Sequence, residues 1–282
     1  MNIAIVGLGL IGGSIAKALK KRTPHTVLGM DTDQQVIYKA LLLDSIDNVL
    51  NEEKLGICDF VIVATYPAAA VEFVEKHAAS FKPGAIVMDV CGVKKAVCEP
   101  LMKLAENYNF TFVGGHPMAG IEYSGFDHST NSMFENASMI LTPPPGMDIQ
   151  FLDMLKQFWC TLGFRRVVIT TPDNHDRIIA YTSQLAHVVS GAYILSPTAL
   201  DHDGFSAGSY KDMTRVARLN ETMWTELFLD NKDHLVHEID SLMEHLSAVR
   251  NAISDGNADS LKELLRYGRE QKELADKKDF GI

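Results

Sequence analysis

The sequence predicts a two-part α/β protein: a doubly wound, mostly parallel sheet followed by an all-α domain. Three observations carry this. Short apolar, β-branched runs alternate with helical periodicity from residue 1 to about 170. A glycine-rich turn joins the first run directly to the first helix. Beyond Thr171-Pro172-Asp173 no convincing strand follows, and helical spacing alone remains. The boundary is therefore expected near residue 171, giving parts 1–171 and 172–282.

In order, the first strand is Ile3 to Val6, and Ile11, Ile15, Ala18 and Leu19 mark the helix after it. Thr26 to Met30 is a second strand and Asp33 to Leu43 a helix, with a polar stretch to Gly56. Phe60 to Ala64 is a strand broken by Tyr66-Pro67, and Ala68 to Phe81 is helical. Pro83-Gly84 turns the chain into Ala85 to Met88, a strand ending at Asp89, and Val93 to Tyr108 is the next helix. Phe110 to Val113 is a strand that runs into Gly114-Gly115-His116-Pro117. Ser138 to Leu141 is a strand stopped by Pro143-Pro144-Pro145-Gly146. Asp148 to Leu162 is a helix with Gly163 as its C-cap, and Arg166 to Thr170 is the last strand. In the second part, Asp173 or Asn174 caps a long helix to about Leu195, ended by Ser196-Pro197. A helical region runs from Phe205 to Leu229. Another carries Leu235, Ile239, Leu242, Leu246, Val249 and Ile253, an alternating 4-3 spacing that makes a heptad-like seam. Ala258 to Lys277 is the final helix. The several long apolar stripes exceed what four helices bury among themselves, so the seam is expected at a homodimer contact.

Gly7, Gly9 and Gly12 form G-x-G-x-x-G in Gly7-Leu8-Gly9-Leu10-Ile11-Gly12, between strand and helix. In that context Gly7 allows the tight turn, Gly9 lets the backbone approach a pyrophosphate, and Gly12 lets helix and strand pack closely. The helix amides and positive dipole end then face phosphates. The second strand ends at Asp31, nineteen residues after Gly12, where an acid accepts hydrogen bonds from a ribose diol. Thr32 and Asp33 follow, with no Arg or Lys for a 2′-phosphate. The pattern reads as a Rossmann-type domain binding NAD rather than NADP. The competing reading is a strand-end aspartate in an ordinary turn.

The 282 residues have ordinary apolar and charged content, as in a soluble globular protein. A net charge of -10 argues against nucleic acid as a partner, while local Arg or Lys still allows an acidic substrate. Cys58, Cys91, Cys98 and Cys160 form no C-x-x-C pair and read as free thiols in a reducing cytoplasm. No basic region precedes an apolar signal segment, and no apolar run approaches membrane-spanning length.

In an open α/β sheet, ligands bind at the carboxyl ends of strands. His116 stands at such an end, between two glycines and a proline. A group that titrates near neutrality there suits accepting a proton from a hydroxyl while hydride leaves the same carbon; the plain alternative is a loop histidine bonded to backbone. The helix from Asp176 shows an apolar face (Ile178, Tyr181, Leu185, Val188, Ala192, Leu195). Its other stripe, Ala180, Ser183, Gln184, His187 and Gly191, suits a polar cleft or solvent. Lys211, Asp212 and Arg215 share a helix; Arg suits two-point carboxylate binding with Asp212 orienting it, although a surface ion pair explains the same spacing. No metal site is expected: His234 and His237 lack a third ligand, and Asp201-His202-Asp203 reads as a turn. Cys91 reads as a small buried thiol, having no obvious base nearby.

Together these residues resemble the prephenate dehydrogenase family, including its arogenate-using members, over nearly the whole chain. The resemblance rests on Gly7 to Ser14, Asp89 to Lys94, Gly115-His116-Pro117-Met118-Ala119-Gly120, Ser183 to His187, and Gly208 to Arg215 with Trp224 beyond. It implies a nucleotide domain plus a helical dimerisation domain, and oxidative decarboxylation of prephenate to 4-hydroxyphenylpyruvate in tyrosine synthesis. It implies His116 as the catalytic histidine on the ring hydroxyl, His187 as a second histidine contacting substrate, and Arg215 as the carboxylate-binding residue. It implies Glu122 as an acid that gates or orders the site, with Asp212, Gly208 and Trp224 supporting the pocket, in part across the dimer. The chain departs from the pattern once. Many members carry Gly-Ser-Val-Lys after the fourth strand; here Cys91-Gly92-Val93-Lys94 puts Gly92 in the serine's place. The competing functions are an arogenate dehydrogenase, a β-hydroxyacid dehydrogenase-like enzyme with a catalytic lysine on its helical domain, and a non-catalytic NAD-binding redox sensor. The histidine-strand block argues against the second.

Overall fold

The computed structural model describes residues 1–280. Eight strands form one sheet: β1 (Asn2–Val6), β2 (Thr26–Met30), β3 (Asn48–Val49), β4 (Phe60–Val63), β5 (Ala85–Asp89), β6 (Phe110–Pro117), β7 (Ser138–Thr142) and β8 (Arg166–Ile169). Their order across the sheet is β3-β2-β1-β4-β5-β6-β7-β8, with β6 and β7 antiparallel and every other neighbouring pair parallel. The order reverses between β1 and β4, the position where such sheets open a ligand crevice.

The strands read as continuous apolar runs because helices cover both faces. Side chains alternate between the faces, so Ile3 and Ile5 enter one core while Ala4 and Val6 enter the other. The first core also holds Phe60, Ile62, Trp159 and Phe164, under α1 (Leu10–Arg22) and α6 (Ile149–Thr161). The second holds Val61, Val63, Val87 and Phe112, under α4 (Pro67–His77) and α5 (Lys95–Ala105). Asp148 caps α6 through the Gln150 and Phe151 amides, and Gly163 follows it at φ +110°. Between β2 and β4 lie α2 (Gln34–Leu42) and one short turn, α3 (Glu52–Leu55). The two-residue β3 blunts the sheet's edge within the stretch expected to be merely polar.

Strand β6 differs from the expectation. Instead of ending at Val113 it continues through Gly114-Gly115-His116-Pro117, leaving β5 to pair with β7, and His116 stands opposite Ile140. The glycines make this close packing possible rather than clearing space around the histidine. A Cβ on Gly114 would stand 2.2 Å from Thr142 Oγ1, and one on Gly115 would stand 2.8 Å from the Asp89 carbonyl oxygen.

The long helix after β8 also differs. Thr171, not Asp173 or Asn174, caps α7 (Pro172–Ile179), accepting the Asn174 amide. A π turn, Ala180–Gln184, then leads into α8 (Leu185–Ile194). The extra residue in that turn shifts the helical register. Already within α7, Ile178 is exposed while His175, Asp176 and Ile179 point inward; beyond it Ala180, Gln184 and Leu185 are buried, and Tyr181 and Leu195 of the expected apolar face are exposed. The next region is two helices, α9 (Gly208–Thr214) and α10 (Glu221–Asp230), because Asn220 caps a new start through the Met223 amide. Then come α11 (Lys232–Ser254) and α12 (Ala258–Phe280).

Two compact units divide at Lys232. The first therefore holds the sheet together with α7 to α10. The second begins at Asp233; along α11 the seam residue Leu235 is buried, whereas Leu246 and Ile253 are exposed. No helix among the described residues is long and apolar enough to cross a membrane.

Phe60 ties the first core together, its ring 4.9 Å from Phe158 and 6.4 Å from Trp159. Phe60→Ala should cost about 3–5 kcal/mol, the usual cost of a cavity where packing is tight, read as a lowered denaturation midpoint in urea with the slope unchanged.

Candidate active site

The glycine turn has the geometry its spacing predicts. Gly7 has φ +86°, and a Cβ there would stand 2.6 Å from the Ala64 carbonyl oxygen. A Cβ on Gly12 would stand 1.9 Å from the Gly7 oxygen, so α1 packs onto its own turn only without a side chain. At Gly9 nothing lies within 4 Å of such an atom, which leaves open space before the first turn of α1. Gly9 supplies no side-chain cap, so the amides near Leu10 and Ile11 keep their donors for a ligand. Leu8 is buried in the core, and its amide donates to Asp31 Oδ2 at 2.7 Å. The Asp33 amide donates to Asp31 Oδ1 at 3.0 Å. Asp31 is thus held at the end of β2, beside the glycine turn.

Further along the same sheet edge, β5 ends in Asp89, and His116 is the penultimate residue of β6. Lys94 and Asp89 form an ion pair with both side chains fully buried. Lys94 Nζ also donates to the Gly115 carbonyl at 2.6 Å, and the Cys91 amide donates to Asp89 Oδ2 at 2.9 Å. His116 is half-buried beside this pair. Its Nδ1 lies 2.8 Å from His175 Nε2, and His175 Nδ1 lies 2.7 Å from Asp176 Oδ1. The Lys94 amide donates to Asp176 Oδ1 at 2.7 Å, and the Lys95 amide to Oδ2 at 2.8 Å. Asp176 thereby caps α5 from another element, since α5 has no cap of its own. Asn231 Nδ2 bridges the Asp176 carbonyl and Gln184 Oε1, both at 2.8 Å. Burial pushes the His116 imidazole well below the ordinary histidine value, reinforced by His175 and the Lys94 cation. Burial also lowers His175, against the pull of Asp176.

A second group of contacts lies across α8, α9 and α10. Arg215 Nη1 donates to Glu122 Oε1 at 2.5 Å, with the side chains 62% and 33% exposed. Glu122, not the expected Asp212, is therefore the carboxylate that orients Arg215; the turn after α9 directs the guanidinium toward the loop beyond β6. This bond holds the Glu122 carboxyl below its usual range. The next carbonyl, that of Val216, accepts from His187 Nδ1 at 3.1 Å. The His187 ring lies 3.9 Å from that of Trp224. Burial lowers His187 as well.

The structure thus gathers His187, Arg215, Glu122 and Trp224 into one group, and ties His116 of β6 to His175 and Asp176 of α7, the helical run that continues to His187. Gly208 and Asp212 are exposed on α9. His175, Asp176, Lys94 and Asp89 are the residues sequence reading left unassigned. For His175 and Asp176 the signal is a His-Asp pair one helical turn before the apolar Ile179 and Ala180. Cys91 is buried and its thiol is pushed well above the usual value by burial and by Asp89, so it is no nucleophile. A Cβ on Gly92 would meet Leu227 Cδ2 at 3.4 Å, an ordinary contact, so the missing serine reflects no steric bar. Among the described residues no group of three potential ligands could hold a metal ion.

The nucleotide-binding domain model of prephenate dehydrogenase matches residues 15–170, and the dimerization domain model matches 171–267. The prephenate dehydrogenase of Bacillus subtilis is 30% identical, over 98% of this chain and 75% of its own. The crystal structure of prephenate dehydrogenase from Aquifex aeolicus in complex with hydroxyphenyl propionate and NAD+ superposes with a TM-score of 0.86 at 29% identity, covering 98% of both chains. That of Synechocystis arogenate dehydrogenase gives 0.81 at 29% identity, over 98% of this chain and all of the other. Matched in tandem by both domain models, with a glycine turn and a strand-end histidine opening on one sheet edge, the chain belongs to the prephenate dehydrogenase family.

Proposed function

We propose that this chain is an NAD-dependent dehydrogenase that converts prephenate to 4-hydroxyphenylpyruvate with loss of carbon dioxide, a step in tyrosine biosynthesis. The observation that carries it is topological: the turn at Gly7, Gly9 and Gly12, the carboxylate of Asp31, and His116 all lie at the carboxyl ends of strands in one sheet. The residues fit NAD. The open space at Gly9 admits a pyrophosphate, and Asp31 keeps lone pairs for a ribose diol while Thr32 and Asp33 offer no cation to a 2′-phosphate. Bound there, NAD would supply the acceptor for hydride from the carbinol carbon.

His116 acts as the general base, taking the ring hydroxyl proton as that hydride departs. Its lowered basicity keeps the imidazole neutral near pH 7, as a base must be. Arg215, steered by Glu122, binds a substrate carboxylate, and His187, backed by Trp224, contacts substrate. The resulting dienone is a vinylogous β-keto acid, and aromatisation drives decarboxylation. The residues therefore need mainly to orient the substrate and accept one proton. Gly208 and Asp212, exposed on α9, support the pocket at a homodimer contact, for which the dimerization-domain match and the exposed Leu246 and Ile253 of α11 speak.

Arogenate is the second reading, favoured by the likeness to the Synechocystis enzyme. No observation favours a redox sensor, and its signature would be NAD binding with no turnover of either compound.

NADH formation should be measured with both substrates. Prephenate turnover is expected, with His116→Asn lowering kcat by about 10²–10⁴-fold while NAD affinity survives. Turnover of arogenate alone would change the substrate and keep the chemistry. Arg215→Ala should raise the substrate KM by about 10–100-fold, as expected for a lost charge-assisted bond, with a smaller effect on NAD. Because the His116 pKa is depressed, the base stays unprotonated below the ordinary histidine value of about 6.5 and is lost only as pH falls through the lowered value. The acid limb of kcat/KM should accordingly lie below pH 6.5.

A further inference from the structure

We propose that His175 and Asp176 are positioning residues that hold His116 in the tautomer with Nδ1 protonated and Nε2 free, so that Nε2 is the atom that accepts the substrate proton. This rests on His116 being the base.

The argument follows the donors from the buried end. The Asp176 carboxylate receives the Lys94 and Lys95 amides, and an ionised carboxylate only accepts. The 2.7 Å contact from His175 Nδ1 to Oδ1 must then be an N–H donated by the histidine. A neutral imidazole has one N–H, so His175 Nε2 carries a lone pair. It can only accept at its 2.8 Å contact, which makes His116 Nδ1 the donor. His116, with its single proton there, presents a bare Nε2.

The alternative is a cationic His175 donating at both ends, which would reverse the His116 tautomer and disable the base. The surroundings oppose it. His175 is 2% exposed, the Lys94 cation lies nearby, and burial outweighs Asp176 in setting its basicity. During the reaction the substrate O–H bond breaks and a bond from hydrogen to His116 Nε2 forms. The Nδ1–H stays on His116, and no proton passes to His175. The transient imidazolium is stabilised through His175 by Asp176, as an orienting carboxylate supports a catalytic histidine elsewhere.

Asp176 also caps α5, so its replacement would confuse folding with catalysis. His175 contributes no cap and is the cleaner target. His175→Leu removes the acceptor; His175→Gln retains an amide oxygen able to reach His116 Nδ1. Whichever of prephenate and arogenate is turned over serves as substrate. His175→Leu should lower kcat about 100-fold with KM changed less than about twofold, and His175→Gln should recover about tenfold of that loss. Imidazole 15N spectra of the wild-type enzyme, with the His116 signals identified by their absence in His116→Asn, should show Nδ1 protonated. In His175→Leu they should shift toward the Nε2-protonated form. Wild-type kcat in a folded His175→Leu, or an Nε2-protonated His116 in the wild type, would overturn the proposal even with His116→Asn inactive. An active His116→Asn would instead remove the base reading itself.

Discussion

The buried pair between Lys94 and Asp89 is the constraint on which the site depends. Both side chains are wholly out of water, where each charge alone would cost several kcal/mol. The chain meets that cost by satisfying nearly every donor and acceptor around the pair. Asp89 accepts the Cys91 amide, and Lys94 donates to the Gly115 carbonyl immediately before His116. The same residue's backbone amide reaches Asp176, so one lysine joins the ends of β5 and β6, the start of α5 and the first turns of α7. The pair fixes geometry more than it adds stability, since an apolar pair of similar volume often serves stability as well. It also sets a positive charge behind the imidazole, which disfavours a second one there.

Much of this was legible in the sequence. Seven of the strands, the glycine turn and Asp31 follow from local pattern, because apolar period and turn chemistry are short-range properties. The differences come from partners distant in sequence and, in one helix, from a local change of register. The sequence shows β6 four residues short because glycines next to a histidine look like a loop, and only the partners on β5, α5 and β7 explain why Cβ atoms are excluded there. Along the helix after β8, spacing puts Ile178 on the apolar face although Ile179, with His175 and Asp176, is the buried one, and the π turn Ala180–Gln184 then changes the register, which no residue in it announces. Helical spacing offers Asp212 as the partner of Arg215, whereas Glu122, 93 residues earlier, holds it.

His175 and Asp176 are the most instructive omission. An aspartate near a helix start has a ready local explanation, the favourable dipole, and that explanation hides the fact that Asp176 and His175 are both buried. The pattern alone carries the correction. When Ile179 and Ala180 are core, the residues one turn earlier on that face are core too, and a buried aspartate requires several donors. The structure supplies three to the carboxylate, two from the Lys94 and Lys95 amides at the start of α5 and one from His175.

These contacts divide the site into a rigid part and a soft part. The His116 side is held by buried bonds whose loss leaves unsatisfied polar groups, so its geometry is hard to change. The Arg215–Glu122 bond is partly exposed, screened by salt, and weak by comparison. Discrimination between a keto group and an amine on one side chain needs only a few kcal/mol of difference in polar contacts. A pocket edge of exposed, repositionable charges can supply or withdraw that without disturbing the imidazole. Proton abstraction tolerates no such freedom, since a base with its lone pair on the wrong nitrogen is no base. With His116 as the proposed base and Arg215 as the proposed carboxylate anchor, substrate preference within the family would shift on the soft side while the chemistry stays fixed on the rigid one.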